Sequence, residues 1–187
     1  MRIDTAKSTA IALSKTKIVL LLLGAVAFVM IGVRLWTISD SQIGYNPHYV
    51  KLAAVSCVVF FSICVVYGFF KLFDSKPGLT IGPDGIDDNS SGVSAGHVPW
   101  NEIIGIDVTT ISSQRFLVFL VEEPQKYVGR GNFLQRKLNA ANLKLYGSPI
   151  QISSNSLKID FRELTELVTQ YYDRYKNMDN EGVEHTR

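Results

Sequence analysis

Two apolar runs near the amino end constrain this 187-residue chain more than any other feature. Residues 18–33 read IVLLLLGAVAFVMIGV and residues 52–70 read LAAVSCVVFFSICVVYGFF. A helix needs roughly 20 apolar residues to cross the hydrocarbon of a bilayer. The second run is close to that length. The first reaches it when Arg34 lifts its guanidinium to the interface and Leu35–Ile38 are included. The expectation is a transmembrane helical hairpin over residues 18–70, with helices at about 18–38 and 50–70.

The flanks orient that hairpin, because Lys and Arg are retained on the cytoplasmic side during insertion. Arg2, Lys7, Lys15 and Lys17 precede the first run, and Lys71 and Lys76 follow the second. Residues 37–50 contain neither Lys nor Arg, although Arg34 and Lys51 at the helix ends soften the contrast. Residues 1–17 therefore read as a basic cytoplasmic N-terminus, with both termini cytoplasmic and the chain crossing the membrane more than once. Trp36, Tyr45 and Tyr49 fall where an outer aromatic belt is expected. A cleaved signal peptide is the competing reading, since Ala25-Val26-Ala27 resembles a small-residue cleavage site. Cleavage there would leave FVMIGVRLW as a new apolar terminus, and the second run would remain as an anchor.

Charge follows the same division. Residues 79–187 carry 11 basic and 14 acidic side chains, so the overall +2 comes from the first 78 residues. The basic excess is thus a topology signal and gives no reason to expect nucleic acid. Within the remainder, residues 124–159 contain Lys126, Arg130, Arg136, Lys137, Lys144 and Lys158 and no acid. Cys57 and Cys64 share one face of the second apolar helix and read as small apolar side chains there. His48, His97 and His185 are scattered. No metal or cofactor is expected.

Beyond the linker at residues 71–78 the pattern changes to short strands. Pro83-Asp84 before Gly85 is a turn signal, 89–96 (NSSGVSAG) is loop by composition, and 100–110 alternates. That alternation predicts Ile104, Ile106 and Val108 facing inward, with His97 in the preceding loop. Phe116–Val121 is a continuous apolar run suited to a buried strand. In 132–146 (NFLQRKLNAANLKLY) the period becomes helical, with Leu134, Leu138, Ala141 and Leu145 on one face. From Phe161 a second amphipathic helix begins, with Asp160 as N-cap and Leu164, Leu167, Val168, Tyr171 and Tyr175 inward. The polar residues 178–187 read as a disordered tail.

The expected fold class is α+β: a transmembrane helical hairpin, then a small barrel of antiparallel strands, or a pair of orthogonal sheets, over residues 79–177. The amphipathic helix at about 132–146 is an insertion, and a C-terminal helix plugs the open end. The segments KPGLTIGPDGIDDNSSGVSAGHVPWNEIIGI and NFLQRKLNAANLKLYGSPIQISSNSLKIDFREL carry a resemblance beyond architecture. The chain resembles a family of uncharacterised bacterial membrane proteins with two N-terminal transmembrane helices and a pleckstrin-homology-like cytoplasmic domain. The resemblance runs from Lys15 to Asn177 and implies fold and membrane placement; it implies no activity.

Candidate sites narrow quickly. Asp84, Asp87, Asp88 and Asn89 lack the alternating acids and distant glutamate of a calcium loop. Eukaryotic pleckstrin-homology domains grip phosphoinositides with bases on the first hairpin. The corresponding turn here, Gly82-Pro83-Asp84-Gly85, has none. Walker, G-x-S-x-G and H-E-x-x-H motifs are absent. What remains is the basic segment Lys126, Arg130, Arg136, Lys137 and Lys144 as a membrane-surface contact. Its helix either lays its apolar stripe on the anionic leaflet or packs it on the domain's own sheet. Globular domains usually turn such a stripe inward, so inward packing is expected. The functional expectation is a membrane-tethered, non-catalytic interaction or assembly module. Its partners would be the lipid bilayer and a protein, either another chain or a second copy. The alternative is a lipid-binding or lipid-sensing domain using 126–144; a third reading is an enzyme with an unfamiliar site.

Overall fold

In a computed structural model that describes residues 4–41, 44, 46–111 and 113–184, the first strand lies ahead of the first apolar helix. Arg2, Tyr45 and His185, named above, lie outside the described residues. The chain divides into two compact units. One comprises the residues up to Leu13 together with those from Lys76 onward, and the other runs from Ser14 to Ser75.

The second unit is a pair of apolar helices, α1 (Lys15–Ile38) and α2 (Pro47–Leu72), each long and apolar enough to cross a membrane. Ser14 caps α1 and Asn46 caps α2, each side chain accepting a backbone N–H of its helix's first turn. Small residues let the backbones approach. A Cβ on Gly32 would lie 2.8 Å from Val58 Cγ2 and 3.2 Å from the Ala54 carbonyl oxygen. Phe28 and Phe61 stack at 4.4 Å between centroids, and the Cys57 thiol donates to the Phe28 carbonyl. At the open end Lys15 Nζ donates to the carbonyl oxygens of Leu72 and Asp74, which are C-terminal carbonyls of α2 and its exit. Most of the apolar side chains on both helices are exposed, Leu20, Leu23, Phe60 and Ile63 among them.

Among the described residues, the first unit contains two antiparallel sheets and three α-helices. β1 (Thr9–Ile11), β2 (Leu79–Gly82), β3 (Gly85–Asp88) and β4 (Gly96–Pro99) pair in that spatial order. β5 (Ile103–Ile111), β6 (Gln114–Val121) and β7 (Ile150–Ile152) form the other sheet in the order 5-6-7. α3 (Pro124–Val128) and α4 (Phe133–Tyr146) lie between β6 and β7 in sequence, and α5 (Phe161–Glu184) follows β7. Two corrections concern the domain's limits. The segment expected only as a basic cytoplasmic N-terminus, 1–17, also supplies β1, which extends the domain beyond residues 79–177, with Thr9 opposite Ile81 and Ile11 opposite Leu79. The tail expected to be disordered, 178–187, is helical as far as Glu184.

Of the two expected arrangements, a small barrel or a pair of sheets, the described strands form two separate antiparallel sheets and no closed barrel. The break falls at a 3-10 turn, Trp100–Glu102, between β4 and β5. There Trp100 is buried and donates its Nε1–H to the Gly82 carbonyl at 2.8 Å, so the indole is anchored to the first sheet as the chain departs for the second. A bulge at Ile104 follows, breaking the β5–β6 register between Ile103 and Gly105. The inserted residue displaces only Ile104 from the expected facing: Ile103 is buried opposite Val121 and Ile104 is exposed, while Ile106 and Val108 lie opposite the buried Phe119 and Leu117 as expected, although Val108 remains exposed. His97 lies on β4, its Nδ1 2.9 Å from Asp87 Oδ1 on the neighbouring strand.

The core is made by the alternating residues of both sheets and one stripe of α5. Leu79, Ile81, Ile86, Leu117 and Phe119 are inward on the strands, and Leu164, Leu167, Val168 and Tyr171 on the helix. Asp160 Oδ1 accepts the Glu163 N–H at 2.8 Å and so starts α5 where the sequence indicated. Each fully buried Leu or Ile contributes roughly 1.5–3 kcal/mol by area. Gly85 is the tightest backbone position. Its φ is +152°, and a Cβ there would sit 2.3 Å from the Val98 carbonyl oxygen on β4. Gly85→Ala should therefore destabilise the first unit by roughly 3 kcal/mol or more. Denaturant unfolding followed by Trp100 fluorescence reads this directly; a change within 0.5 kcal/mol, roughly the size of an ordinary surface substitution, would contradict the geometry.

Candidate functional site

The five candidate residues separate into two groups. Lys126 and Arg130 on and after α3 are committed within the domain. Lys126 Nζ donates to Glu102 Oε1, and the Tyr127 hydroxyl donates to Glu102 Oε2 at 2.8 Å. The Arg130 guanidinium donates to the carbonyls of Ala95 and His97 at 2.9 and 2.8 Å and lies 4.2 Å from the centroid of the buried Tyr127 ring. These contacts tie the helical insertion to β4 and to the turn after it. Lys126 and Arg130 thus clamp the insertion to the domain, while the Lys126 side chain stays 45% exposed.

Glu102 is the electrostatic centre of that clamp. The Lys126 hydrogen bond first, then the Tyr127 hydroxyl, hold its carboxyl below the ordinary carboxylate range. Burial first, then the Glu102 carboxylate, keep the Tyr127 hydroxyl protonated far above the ordinary phenol range. A depressed carboxylate contributes stability above its unfolded pKa and loses that contribution as pH falls through the folded value.

Arg136, Lys137 and Lys144 belong to α4, and here the expectation of an inward stripe is overturned. Phe133, Leu134, Leu138 and Leu145 are 68%, 61%, 44% and 68% exposed, and Ala141 is exposed beside them. The face turned to the domain is the polar one. Asn139 is buried at 4% exposure and donates to the Tyr127 carbonyl at 3.4 Å, while Gln135 donates to the Gly92 carbonyl at 2.8 Å. Asn132 and Gln135 form a reciprocal capping box at the start, and Gly147 at φ +76° closes the end. Helix placement is therefore fixed by amides and caps, leaving the apolar stripe unpartnered.

The bases border that stripe asymmetrically. At 100° per residue, Lys137 and Lys144 fall within 20° of each other along one edge of the Leu134, Leu138, Ala141 and Leu145 stripe. Lys137 Nζ lies 4.9 Å from the Phe133 ring centroid. Arg136 points to a different sector, away from the stripe. α4 contains no Asp or Glu. The surface is thus a cationic, apolar helix face with an aromatic at its leading end. It lacks any arrangement of nucleophile, acid and base, and among the described residues no group of three His, Cys, Asp or Glu side chains could hold a metal.

Two outcomes test this geometry. Leu138→Gln in the exposed stripe should change unfolding free energy by less than about 1 kcal/mol, where an inward Leu would cost roughly 2–5 kcal/mol when truncated. Glu102→Gln should flatten the acid limb of stability against pH, because the variant has no carboxylate to protonate; an unchanged acid limb would remove Glu102 from its assigned role. No family model matches the chain, and neither the curated proteins nor the solved structures include one significantly similar to it.

Proposed function

We propose that the chain is a membrane-anchored, non-catalytic interaction module. In this reading α1 and α2 cross a bacterial inner membrane as a hairpin with both termini cytoplasmic, and the sheet domain, pleckstrin-homology-like in its succession of strands and final helix, is held at the inner leaflet. The observation that carries the reading is the insertion of the hairpin between β1 and β2. Because both ends of the hairpin segment continue into one folded unit, an even number of crossings is required, and both ends must emerge on one side. The exposed apolar surface of α1 and α2 supports a lipid environment, since a soluble core helix would bury it. The Lys and Arg distribution favours the cytoplasmic side for the domain.

The anchoring is close. Three residues, 12–14, separate β1 from α1, and six, 73–78, separate α2 from β2, reaching at most ~10 and ~21 Å when extended. A domain held on two such short connections presents a restricted part of its surface to the membrane and the rest to cytoplasmic partners.

Topology is checked by cysteine accessibility in a Cys57→Ser, Cys64→Ser background. A membrane-impermeant maleimide applied to intact cells should label Ser41→Cys, at the turn between the helices, and should reach Thr110→Cys, on the sheet, only after the membrane is opened. Labelling of Thr110→Cys in intact cells would place the domain on the other side. Release of the protein from membranes by alkaline carbonate would contradict the spanning hairpin itself.

A further inference from the structure

We infer that the outward face of α4 docks on the anionic phospholipid of the leaflet beside the domain, with its apolar stripe at the level of the acyl boundary and Lys137 and Lys144 among the headgroups. This deepens the proposed function by naming the occupant of one surface, and it rests on that reading. Four observations converge on lipid. The stripe is exposed, and the helix is held from behind by polar contacts, so the apolar face is available without any repacking of α4. The edge charges are cationic, and residues 124–159 include no acid that would repel an anionic surface, while the rest of the sheet domain is acidic. Lys137 lies against Phe133, pairing an apolar ring with a charged tip as interfacial side chains do. The short connections keep the domain within reach of the bilayer.

Membrane-surface helices bind through buried apolar area together with attraction to anionic lipid, and each base near the surface adds about 1 kcal/mol. Neutralising Lys137 and Lys144 together should therefore lower the ratio of docked to free α4 by about 30-fold. Arg136, pointing to another sector, should matter less, and Lys126 and Arg130 only through the fold.

The experiment uses the full chain reconstituted into nanodiscs of phosphatidylcholine alone or enriched in phosphatidylglycerol, with hydrogen exchange read over residues 133–146. Protection of α4 should rise in the phosphatidylglycerol discs and fall by up to about 30-fold in Lys137→Gln/Lys144→Gln, with exchange in α5 unchanged. Leu138→Ser should reduce the same protection without altering α5. Equal protection in both lipids, or no effect of the double substitution, would overturn the inference. Protection that follows protein concentration and ignores lipid charge would overturn it in favour of contact between two copies. A chain that does not enter the discs at all would contradict the spanning hairpin, a result distinct from entry with an unprotected α4.

Discussion

The β1–β2 ladder is the contact on which the rest depends, because it joins residues from either side of the whole helical hairpin. Thr9, Ala10 and Ile11 pair with Ile81, Thr80 and Leu79, the Gly78 N–H donates to the Ile11 carbonyl at 2.9 Å, and the Lys158 N–H donates to the Ala12 carbonyl at 2.9 Å. Leu13 bridges to Leu157, and both are buried. A three-residue strand cannot hold itself in place. It is fixed by the buried Leu13 and Ile11 and by a sheet that already exists. The four-stranded sheet is therefore complete only after both helices have been synthesised and the chain has returned. The pairing of α1 with α2 reduces the entropy of that closure, since the Lys15 ammonium already holds the Asp74 carbonyl at 2.7 Å.

A second dependency runs through Glu102. It sits in the 3-10 turn that carries the chain from one sheet to the other, and it accepts from Lys126 and Tyr127 of α3. Arg130 then reaches back to β4. α3 is only five residues long and could not persist by its own propensity, so these charge-assisted bonds and the buried Tyr127 ring position it. α4 inherits its orientation from the same group, because Asn139 bonds the Tyr127 carbonyl. The outward turn of the α4 stripe is thus set from the clamp beneath it.

Much of this was legible in the residues, and the exceptions have particular causes. The hairpin announced itself through length and apolarity, and α5 through Asp160 and its 3.6-residue stripe. β1 left no trace, because TAI is too short to show any period and its partner lies beyond two helices. Ile104 departs from the expected facing because it is the one bulged residue, and composition does not mark a bulge; Ile106 and Val108 keep the expected face opposite Phe119 and Leu117. The α4 stripe was read inward because a helical wheel shows that two faces differ without saying which is covered. What decided it was a set of amide contacts to the Tyr127 and Gly92 carbonyls, long-range partners no local pattern displays. The partners of Lys126 and Arg130 within the domain are likewise long-range and leave no local pattern.

The tether also explains why so short an amphipathic helix suffices in the proposed arrangement. Free in solution, fourteen residues with four large apolar side chains on the outside would hold a bilayer weakly. Connections as short as residues 12–14 and 73–78 convert that encounter into an intramolecular one, with an effective concentration of order mM. In that proposed arrangement the ratio of docked to free α4 would depend on the two edge lysines and on lipid charge. A longer or more apolar stripe would lock the domain to the leaflet, and a stripe buried on the sheet would leave it indifferent. The polar underside of α4, with Asn139 buried where a Leu would ordinarily sit, keeps the stripe on the outside, as the proposed docking requires.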